Sequence, residues 1–254
     1  MSLVMAGGHR LEYASIEGAG AEAPTLIFLH EGLGSVALWR DFPAKVAAAT
    51  GLPALIYSRY GYGKSDPLAA PRRVDYMHEE ALLTLPDLRA TFGLEEVILI
   101  GHSDGASIAL IHAGSGTWPA RALILEAPHV FVEDVSIASI EAARAAFATG
   151  DLRQRMARYH ADVESAFRGW NDIWLHPEFR AWDIQEFLPE IRCPVLAIQG
   201  ADDEYGTVAQ IDAIGSQIGG PFERLVLPQC KHSPHRDQEQ ATLAAMTAFI
   251  ARVL

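Results

Sequence analysis

The sequence predicts an α/β protein built on a mostly parallel, doubly wound sheet. Short apolar runs alternate with helix-like segments, and several of the runs are apolar at every position rather than at every second one. Strands of a parallel sheet are apolar at every position because helices cover both of their faces. The 254 residues, half of them hydrophobic, suffice for one large core with room for an inserted lobe.

Six apolar runs bounded by turn residues are predicted as strands, and five segments between them as helices. The strands are residues 25–30, 54–59, 97–102, 121–127, 194–200 and 223–228. The helices are about residues 36–49, 75–91, 106–113, 207–218 and 238–253. The segment 9–17 alternates and ends in Glu-Gly-Ala-Gly, which favours an antiparallel edge strand or a hairpin.

One interval breaks the alternation. Between the strands 121–127 and 194–200 the sequence has amphipathic helical spacing and no strand-like run. It holds three of the five tryptophans, at positions 170, 174 and 182. We therefore predict a core of residues 1–128 and 192–254, with a helical cap, or lid, inserted as residues 129–191.

A serine flanked by glycines follows the third predicted strand. Gly101-His102-Ser103-Asp104-Gly105 has the Gly-x-Ser-x-Gly pattern between a strand and a helix. A sharp turn of this kind lifts the hydroxyl above the sheet at a helix N-terminus, and it needs small neighbours because the backbones pass closely. Ser103 is therefore the candidate nucleophile.

A serine nucleophile needs a base and an acid that orients the base. The order Ser, Asp or Glu, His is available: a strand is followed by Asp202, Asp203 and Glu204, and the next by His232 and His235. Both loops belong at the carboxyl edge of the sheet, where open α/β sheets place their sites.

These motifs together resemble the α/β-hydrolase superfamily with a helical cap, over nearly the whole chain. The matching stretches begin at residues 28, 57, 101, 199 and 230: FLHEGLGS, YSRYGYGKSD, GHSDGA, QGADDEYGT and CKHSPHRDQ. The resemblance implies an α/β-hydrolase fold with Asp203 as the acid rather than Asp202 or Glu204. It selects His232 as the base over His235, for which helix capping or a surface position is expected.

Two backbone N–H groups should form the oxyanion hole. One belongs to Asp104, the residue after the nucleophile. The resemblance makes Gly32 the other, with Leu33 as the alternative. The superfamily usually has Gly where this chain has Glu31. The Glu31 side chain either turns away to a neighbouring loop or arginine, or it acts in the site. In the site it would bind substrate or transfer a proton, for example with an amine-bearing substrate. The Asp104 carboxylate is expected to favour the helix N-terminus.

The resemblance also places His129 and Phe131 near the mouth of the site. Trp170 and Trp174 share a helix face at i, i+4. They either pack the cap onto the core or line the substrate pocket. Glu31 is a further candidate substrate-binding residue.

The net charge of −12 argues against nucleic acid and anionic membrane surfaces as partners. The start lacks a signal-peptide pattern, no apolar run is long enough for a membrane helix, and two cysteines give no disulfide framework. The expectation is a cytoplasmic protein, alone or as a homodimer, acting on a small molecule. Neither a metal-ligand pattern nor a nucleotide fingerprint occurs, so no cofactor is expected.

The predicted function is that of a serine hydrolase, with a small or medium carboxylic ester cleaved through an acyl-enzyme on Ser103. Two alternatives remain open at this stage. One is a C–C bond or enol-lactone hydrolase of a catabolic pathway, and the other is a slow-turnover ligand receptor of the same fold.

Overall fold

A computed structural model describes residues 2–18, 20 and 23–254. Eight strands form one sheet in the order β1-β2-β4-β3-β5-β6-β7-β8. The strands are β1 (Ser2–Ala6), β2 (His9–Ile16), β3 (Thr25–Leu29), β4 (Ala54–Tyr57), β5 (Val97–His102), β6 (Ala122–Glu126), β7 (Val195–Gly200) and β8 (Phe222–Leu227). β2 pairs antiparallel with β1 and with β4, and the neighbours from β4 to β8 are parallel. The predicted fold class is therefore confirmed.

Helices connect these strands. They are α1 (Phe42–Thr50), α2 (Tyr76–Glu79), α3 (Leu85–Phe92), α4 (Asp104–Gly114), α5 (Asp134–Thr149), α6 (Leu152–Met156), α7 (Val163–Trp174), α8 (Ala209–Gln217), α9 (Pro234–Asp237) and α10 (Glu239–Val253). A π-helical turn, Glu80–Thr84, joins α2 to α3, and 3₁₀ turns cover Val36–Trp39, Pro177–Ala181 and Gln185–Glu190. Within the described residues no helix is long and apolar enough to cross a membrane.

The sheet carries an apolar core on each face. In β3, Leu26 and Phe28 belong to one core and Ile27 and Leu29 to the other, and all four are fully buried. Successive strand residues point to opposite faces, so a strand covered on both sides must be apolar throughout. This is the physical reason why the continuous apolar runs of the sequence predict the parallel strands.

Of the two expectations for residues 9–17, an antiparallel edge strand or a hairpin, the structure shows the hairpin, although with a different turn and partner from those the glycines after residue 17 suggest. The segment 9–17 forms β2, but β1 and not β2 is the edge strand, and the two form a hairpin with Ala6 paired to His9. Gly7 and Gly8 make the turn with φ of 58° and 80°, a conformation that glycine adopts at no steric cost. The glycines that follow residue 17 are not the hairpin turn, and Ala19 between them lies outside the described residues.

The segment between β6 and β7 is helical, and we refer to residues 129–191 as the helical insertion. The continuous helical pattern of residues 151–170 breaks between α6 and α7. In this break His160 is 5% exposed, and its ring bonds Gly63 N at 3.0 Å and the Leu33 carbonyl at 3.0 Å. His160 therefore connects the helical insertion to two loops of the core, and helical periodicity in the sequence does not predict this contact.

Candidate active site

Four loops at one edge of the sheet carry the candidate residues. Gly32 follows β3, Ser103 follows β5, Asp203 follows β7 and His232 follows β8. Because these strands are parallel, their carboxyl ends meet at the same edge. The topology alone therefore brings together residues that are far apart in the sequence.

Ser103 occupies a strained turn between β5 and α4. Its φ of 53° and ψ of −116° lie in a region that residues with a Cβ rarely adopt. The Ser103 N–H donates to the Glu126 carbonyl at 2.9 Å, which holds the turn against β6. A Cβ at Gly105 would lie 2.0 Å from the Leu29 carbonyl oxygen, so the elbow fits only with glycine there. The backbone thus presents the hydroxyl at a helix N-terminus.

His232 and Asp203 form a close pair. Nδ1 of His232 lies 2.9 Å from each carboxylate oxygen of Asp203. A carboxylate can only accept, so Nδ1 carries the proton, which leaves Nε2 of a neutral His232 free to accept one. This is the tautomer that a general base needs.

Asp203 is held by more than the histidine. Its carboxylate accepts from Gln199 Nε2 at 2.7 Å and from Tyr205 N at 2.8 Å, and its side chain is 1% exposed. Burial alone would raise the pKa of Asp203, but the hydrogen bond and charge of His232 outweigh it and hold that pKa below its ordinary value. Sequence reasoning does not single out Gln199, although it is the one polar side chain of the apolar strand β7.

Asp203 should also make stability depend on pH. Its pKa is lower in the folded chain than the ordinary 3.8, so its ionised form stabilises the fold above pH 3.8 and this contribution is lost as the pH falls through the folded pKa. We expect the unfolding free energy of wild type minus that of Asp203→Asn to shrink as the pH falls below 4. Urea denaturation of both proteins above and below this pH measures it, and a difference independent of pH would contradict the assignment.

Ser103 and His232 line one cavity of about 190 Å³. Seven residues singled out from the sequence as site residues line it: Glu31, Gly32, Ser103, His129, Trp170, Trp174 and His232. Leu33, the alternative oxyanion donor, and Glu204 also line it. His102, the residue before the nucleophile, lines it as well. Ser136, Ile140, Tyr205 and Ser233 complete the wall and are not predicted, because nothing in their local sequence distinguishes them. The two tryptophans therefore face the cavity as well as packing the helical insertion.

Two predicted site residues have side chains elsewhere. Phe131 does not line the cavity, because its backbone is bridged to Asp183 and accepts from Gln210 Nε2 at 3.1 Å, which holds this segment against α8. The Asp104 carboxylate is fully buried and accepts from Tyr76 Oη at 2.7 Å, with Arg59 Nη2 at 3.4 Å. The Asp104 carboxylate therefore does not line the cavity, and its backbone N–H lies in the first turn of α4.

The Asp104 network extends into the cavity wall. Tyr76 Oη accepts from the indole N–H of Trp174 at 3.1 Å while it donates to Asp104. Trp174 is 2% exposed and lies against the His129 ring, 5.3 Å between centroids. One chain of hydrogen bonds therefore fixes both the elbow residue and the orientation of a cavity tryptophan.

His129 is the buried histidine of the cavity wall. Its ring lies 5.7 Å from that of His232, and burial, aided by the charge of His232, lowers its pKa to about 4. His129 is therefore neutral at pH 7 and adds no positive charge to the cavity.

Gly32 lies directly under the helical insertion. A Cβ at this position would lie 2.2 Å from the indole nitrogen of Trp170 and 2.3 Å from the neighbouring ring carbon. The loop after β3 and α7 can approach this closely only because position 32 has no side chain.

We expect Gly32→Ala to lower kcat/KM by about 100-fold, since a shift of roughly 1 Å in a positioning group has that effect. Steady-state rates measure it, with Gly20→Ala as the matched control because a Cβ there meets none of the described residues within 4 Å. Equal rates for wild type and Gly32→Ala would show that Trp170 yields without moving the loop.

His235, expected at a surface or capping position, is 4% exposed. Its Nδ1 and its backbone N each lie 2.9 Å from Oε2 of Glu126, which is fully buried at the end of β6. The ring packs against Trp39, with centroids 4.8 Å apart. His235 therefore belongs to a buried hydrogen-bonded pair under the site and not to the cavity wall.

The sheet order and the strand-to-helix elbow define the hydrolase class of α/β proteins. Residues 26–245 match the alpha/beta hydrolase family. The chain belongs to this family, and it is therefore an enzyme of a hydrolase family.

Solved structures and curated relatives agree with this placement. The enol-lactonase from Burkholderia xenovorans LB400 superposes with a TM-score of 0.77 at 19% identity, covering 98% of this chain and 100% of that one. A meta-cleavage product hydrolase from Pseudomonas fluorescens IP01 gives 0.77 at 16% identity, covering 100% and 98%. The proline iminopeptidase of Lactobacillus delbrueckii subsp. lactis is 28% identical over 105 residues, 41% of this chain but only 36% of that relative. The structural likenesses establish the fold alone.

Proposed function

We propose that this protein is a serine hydrolase that cleaves a small or medium carboxylic ester through an acyl-enzyme on Ser103. The observation that carries the proposal is the meeting of three features in one cavity. Ser103 sits on a strained elbow, His232 lines the same cavity, and Nδ1 of His232 is bonded to the buried Asp203 carboxylate. This arrangement supports nucleophilic acyl transfer by a Ser-His-Asp triad.

In the proposed first step Ser103 Oγ attacks the ester carbonyl carbon while Nε2 of His232 takes the hydroxyl proton. The N–H groups of Gly32 and Asp104 hold the oxyanion, and the Asp203 carboxylate stabilises the imidazolium. The carbon–oxygen bond to the alcohol then breaks, and His232 returns the proton to the departing alcohol.

In the second step a water molecule attacks the acyl-enzyme. His232 takes one proton from this water and returns it to Ser103 Oγ as the acid product leaves. The same base and oxyanion hole serve both steps, so no further group is required.

The charge of the cavity wall favours an uncharged ester. Glu31 and Glu204 line the cavity, and among its described lining residues there is neither lysine nor arginine. The whole chain carries a net charge of −12. A substrate with its own carboxylate would be repelled by the exposed Glu204, and no lysine or arginine among the described lining residues would attract it. This observation favours the ester over an acidic ring-fission product as substrate.

The volume favours short acyl groups. About 190 Å³ is less than the roughly 300–1,000 Å³ of pockets that enclose drug-sized ligands. The proposal is tested by initial rates on p-nitrophenyl acetate, butyrate and octanoate, with Ser103→Ala as the blank. Turnover that depends on Ser103 and is fastest on the two shorter esters supports it, and absence of turnover on all three contradicts it.

A matched pair of esters tests the charge argument. We expect kcat/KM on mono-p-nitrophenyl glutarate, which ends in a carboxylate, to be at least about tenfold lower than on the uncharged p-nitrophenyl valerate, since like charges steer the substrate away. The deficit should shrink in high salt, because screening weakens the repulsion. Faster turnover of the acidic ester would instead favour the lactone or C–C hydrolase alternative.

A further inference from the structure

The residue before the nucleophile makes two contacts that the triad does not explain. His102 is the last residue of β5 and is 1% exposed. Its Nε2 lies 2.6 Å from the backbone carbonyl oxygen of His232, and its Nδ1 lies 3.6 Å from Oε2 of Glu31. His102 thus stands between the loop after β3 and the loop of the proposed base.

The geometry determines where the protons are. A carbonyl oxygen only accepts, so Nε2 of His102 carries a proton. A neutral ring would then turn the lone pair of Nδ1 toward the Glu31 carboxylate, with repulsion and no donor between them. An imidazolium instead directs an N–H at the carboxylate and is attracted to it across 3.6 Å, so the geometry favours a charged ring.

The groups around His102 agree with this protonation. Burial would lower the pKa of His102, but the carboxylates of Glu31 and Glu126 outweigh it, and the pKa is raised. The same contact, with Arg236 and His30 nearby, holds the pKa of Glu31 well below its ordinary value despite the cost of burial. The rings of His232 and His235 also face His102, at 5.2 and 5.1 Å.

We propose that Glu31 and His102 form an ion pair that positions the proposed catalytic base: the His102 imidazolium holds the His232 carbonyl, and the Glu31 carboxylate holds the imidazolium. This inference rests on the proposed function of His232. It accounts for a glutamate at the position where the superfamily usually has glycine, because the carboxylate points at His102 rather than at the oxyanion. Both are positioning residues, since they act through His232.

The pair also connects the two halves of the site. Glu31 immediately precedes Gly32, and the Glu31 carbonyl accepts from Arg59 Nη2 at 2.9 Å and from His30 Nδ1 at 2.7 Å. The oxyanion loop is thereby fixed to the core, and His102 links it to the His232 loop beneath Ser103. A loop displacement of about 1 Å would separate base from nucleophile and lower the rate by roughly 100-fold.

Kinetics of three variants test the proposal: Glu31→Gln, His102→Gln and the double variant. We expect His102→Gln to lower kcat by about 10–100-fold with KM within twofold, because the base and not the substrate is displaced. Glu31→Gln should lower kcat by about tenfold, and the double variant should be no slower than His102→Gln because both act through one contact. Glu190→Gln is the control for losing one carboxylate, because Glu190 is exposed and does not line the cavity.

Nitrogen-15 spectra of the imidazole rings measure the protonation state of His102. A residue that only packed the fold would not change its protonation when Glu31 is replaced. Both ring nitrogens of His102 should be protonated at pH 7 in the wild type, and the ring should be neutral in Glu31→Gln; the signal is assigned by its loss in His102→Gln. A neutral His102 in the wild type, unchanged kcat in Glu31→Gln, or additive losses in the double variant would each overturn the ion pair.

The two proposals can fail separately. If the wild type cleaves no ester, the proposed function is contradicted, and the variants are then compared by the rate at which a fluorophosphonate labels Ser103. Slower labelling in Glu31→Gln still supports the ion pair, and equal labelling overturns it. If His102→Gln does not fold, Glu31→Gln, which preserves side-chain shape, provides the rate. The His102 signal is then the one that changes from the protonated to the neutral form between wild type and Glu31→Gln, and the absence of any such change overturns the ion pair.

Discussion

Replacing Ser103 by alanine is expected to lower kcat by about 10⁶-fold, the loss seen when a triad nucleophile is removed. The alanine keeps the Cβ and therefore keeps the turn with its φ of 53°. Gly105 still passes the Leu29 carbonyl, and the Ser103 N–H that donates to Glu126 is a backbone group. Only the hydroxyl is lost, so the melting temperature should change little while hydrolysis disappears.

The measurement is turnover of p-nitrophenyl butyrate alongside thermal unfolding. Ser216→Ala, an exposed serine of α8, controls for the loss of a hydroxyl and should retain wild-type rates. Ser103→Gly gives a second comparison, because glycine relieves the strained backbone and should stabilise the fold by about 1 kcal/mol relative to Ser103→Ala. Turnover by Ser103→Ala within tenfold of wild type would exclude Ser103 as the nucleophile.

The parts of the fold that sequence reasoning predicts are those encoded locally. β5 is buried at all six positions, and its unbroken apolar run followed by Gly-x-Ser-x-Gly predicts both a central strand and the turn after it. β1 escapes prediction because five residues at a sheet edge, mostly exposed, carry no comparable burial pattern. The break between α6 and α7 escapes it because His160 finds its partners, Gly63 and Leu33, in distant loops.

The candidate site, too, can be predicted from the sequence only in part. The loops that carry Ser103, Asp203 and His232 follow from strand order and motif, because parallel strands place their carboxyl ends together. Contacts between loops do not follow, since they depend on how far each loop projects. Glu31 can be identified as a departure from the superfamily pattern, but its approach to His102 is visible only when β3 and β5 are seen side by side. Phe131 shows the converse, because nearness in sequence to His129 does not place it in the cavity.

The two histidines after β8 should respond in opposite ways to substitution by alanine. His232→Ala is expected to lower kcat by about 10⁶-fold, because the base and the nucleophile act as one unit. It should cost less stability than His235→Ala, since the Asp203 carboxylate loses His232 but keeps its hydrogen bonds from Gln199 and Tyr205. The His232 side chain is also 13% exposed at the cavity, so its removal leaves little empty space in the core.

His235→Ala should instead destabilise the fold by about 3–5 kcal/mol, with kcat of the folded protein within tenfold of wild type. Glu126 is fully buried, its Oε1 already lacks a partner among the described residues, and the variant leaves the backbone N–H of residue 235 as the remaining donor to Oε2. Removing the Nδ1–H donor leaves the buried Glu126 carboxylate with one hydrogen bond to Oε2 instead of two, and a buried charge that loses a partner is the expensive case. Urea unfolding and kcat of both variants decide the matter: a stable, inactive His235→Ala beside an active His232→Ala would move the base to His235.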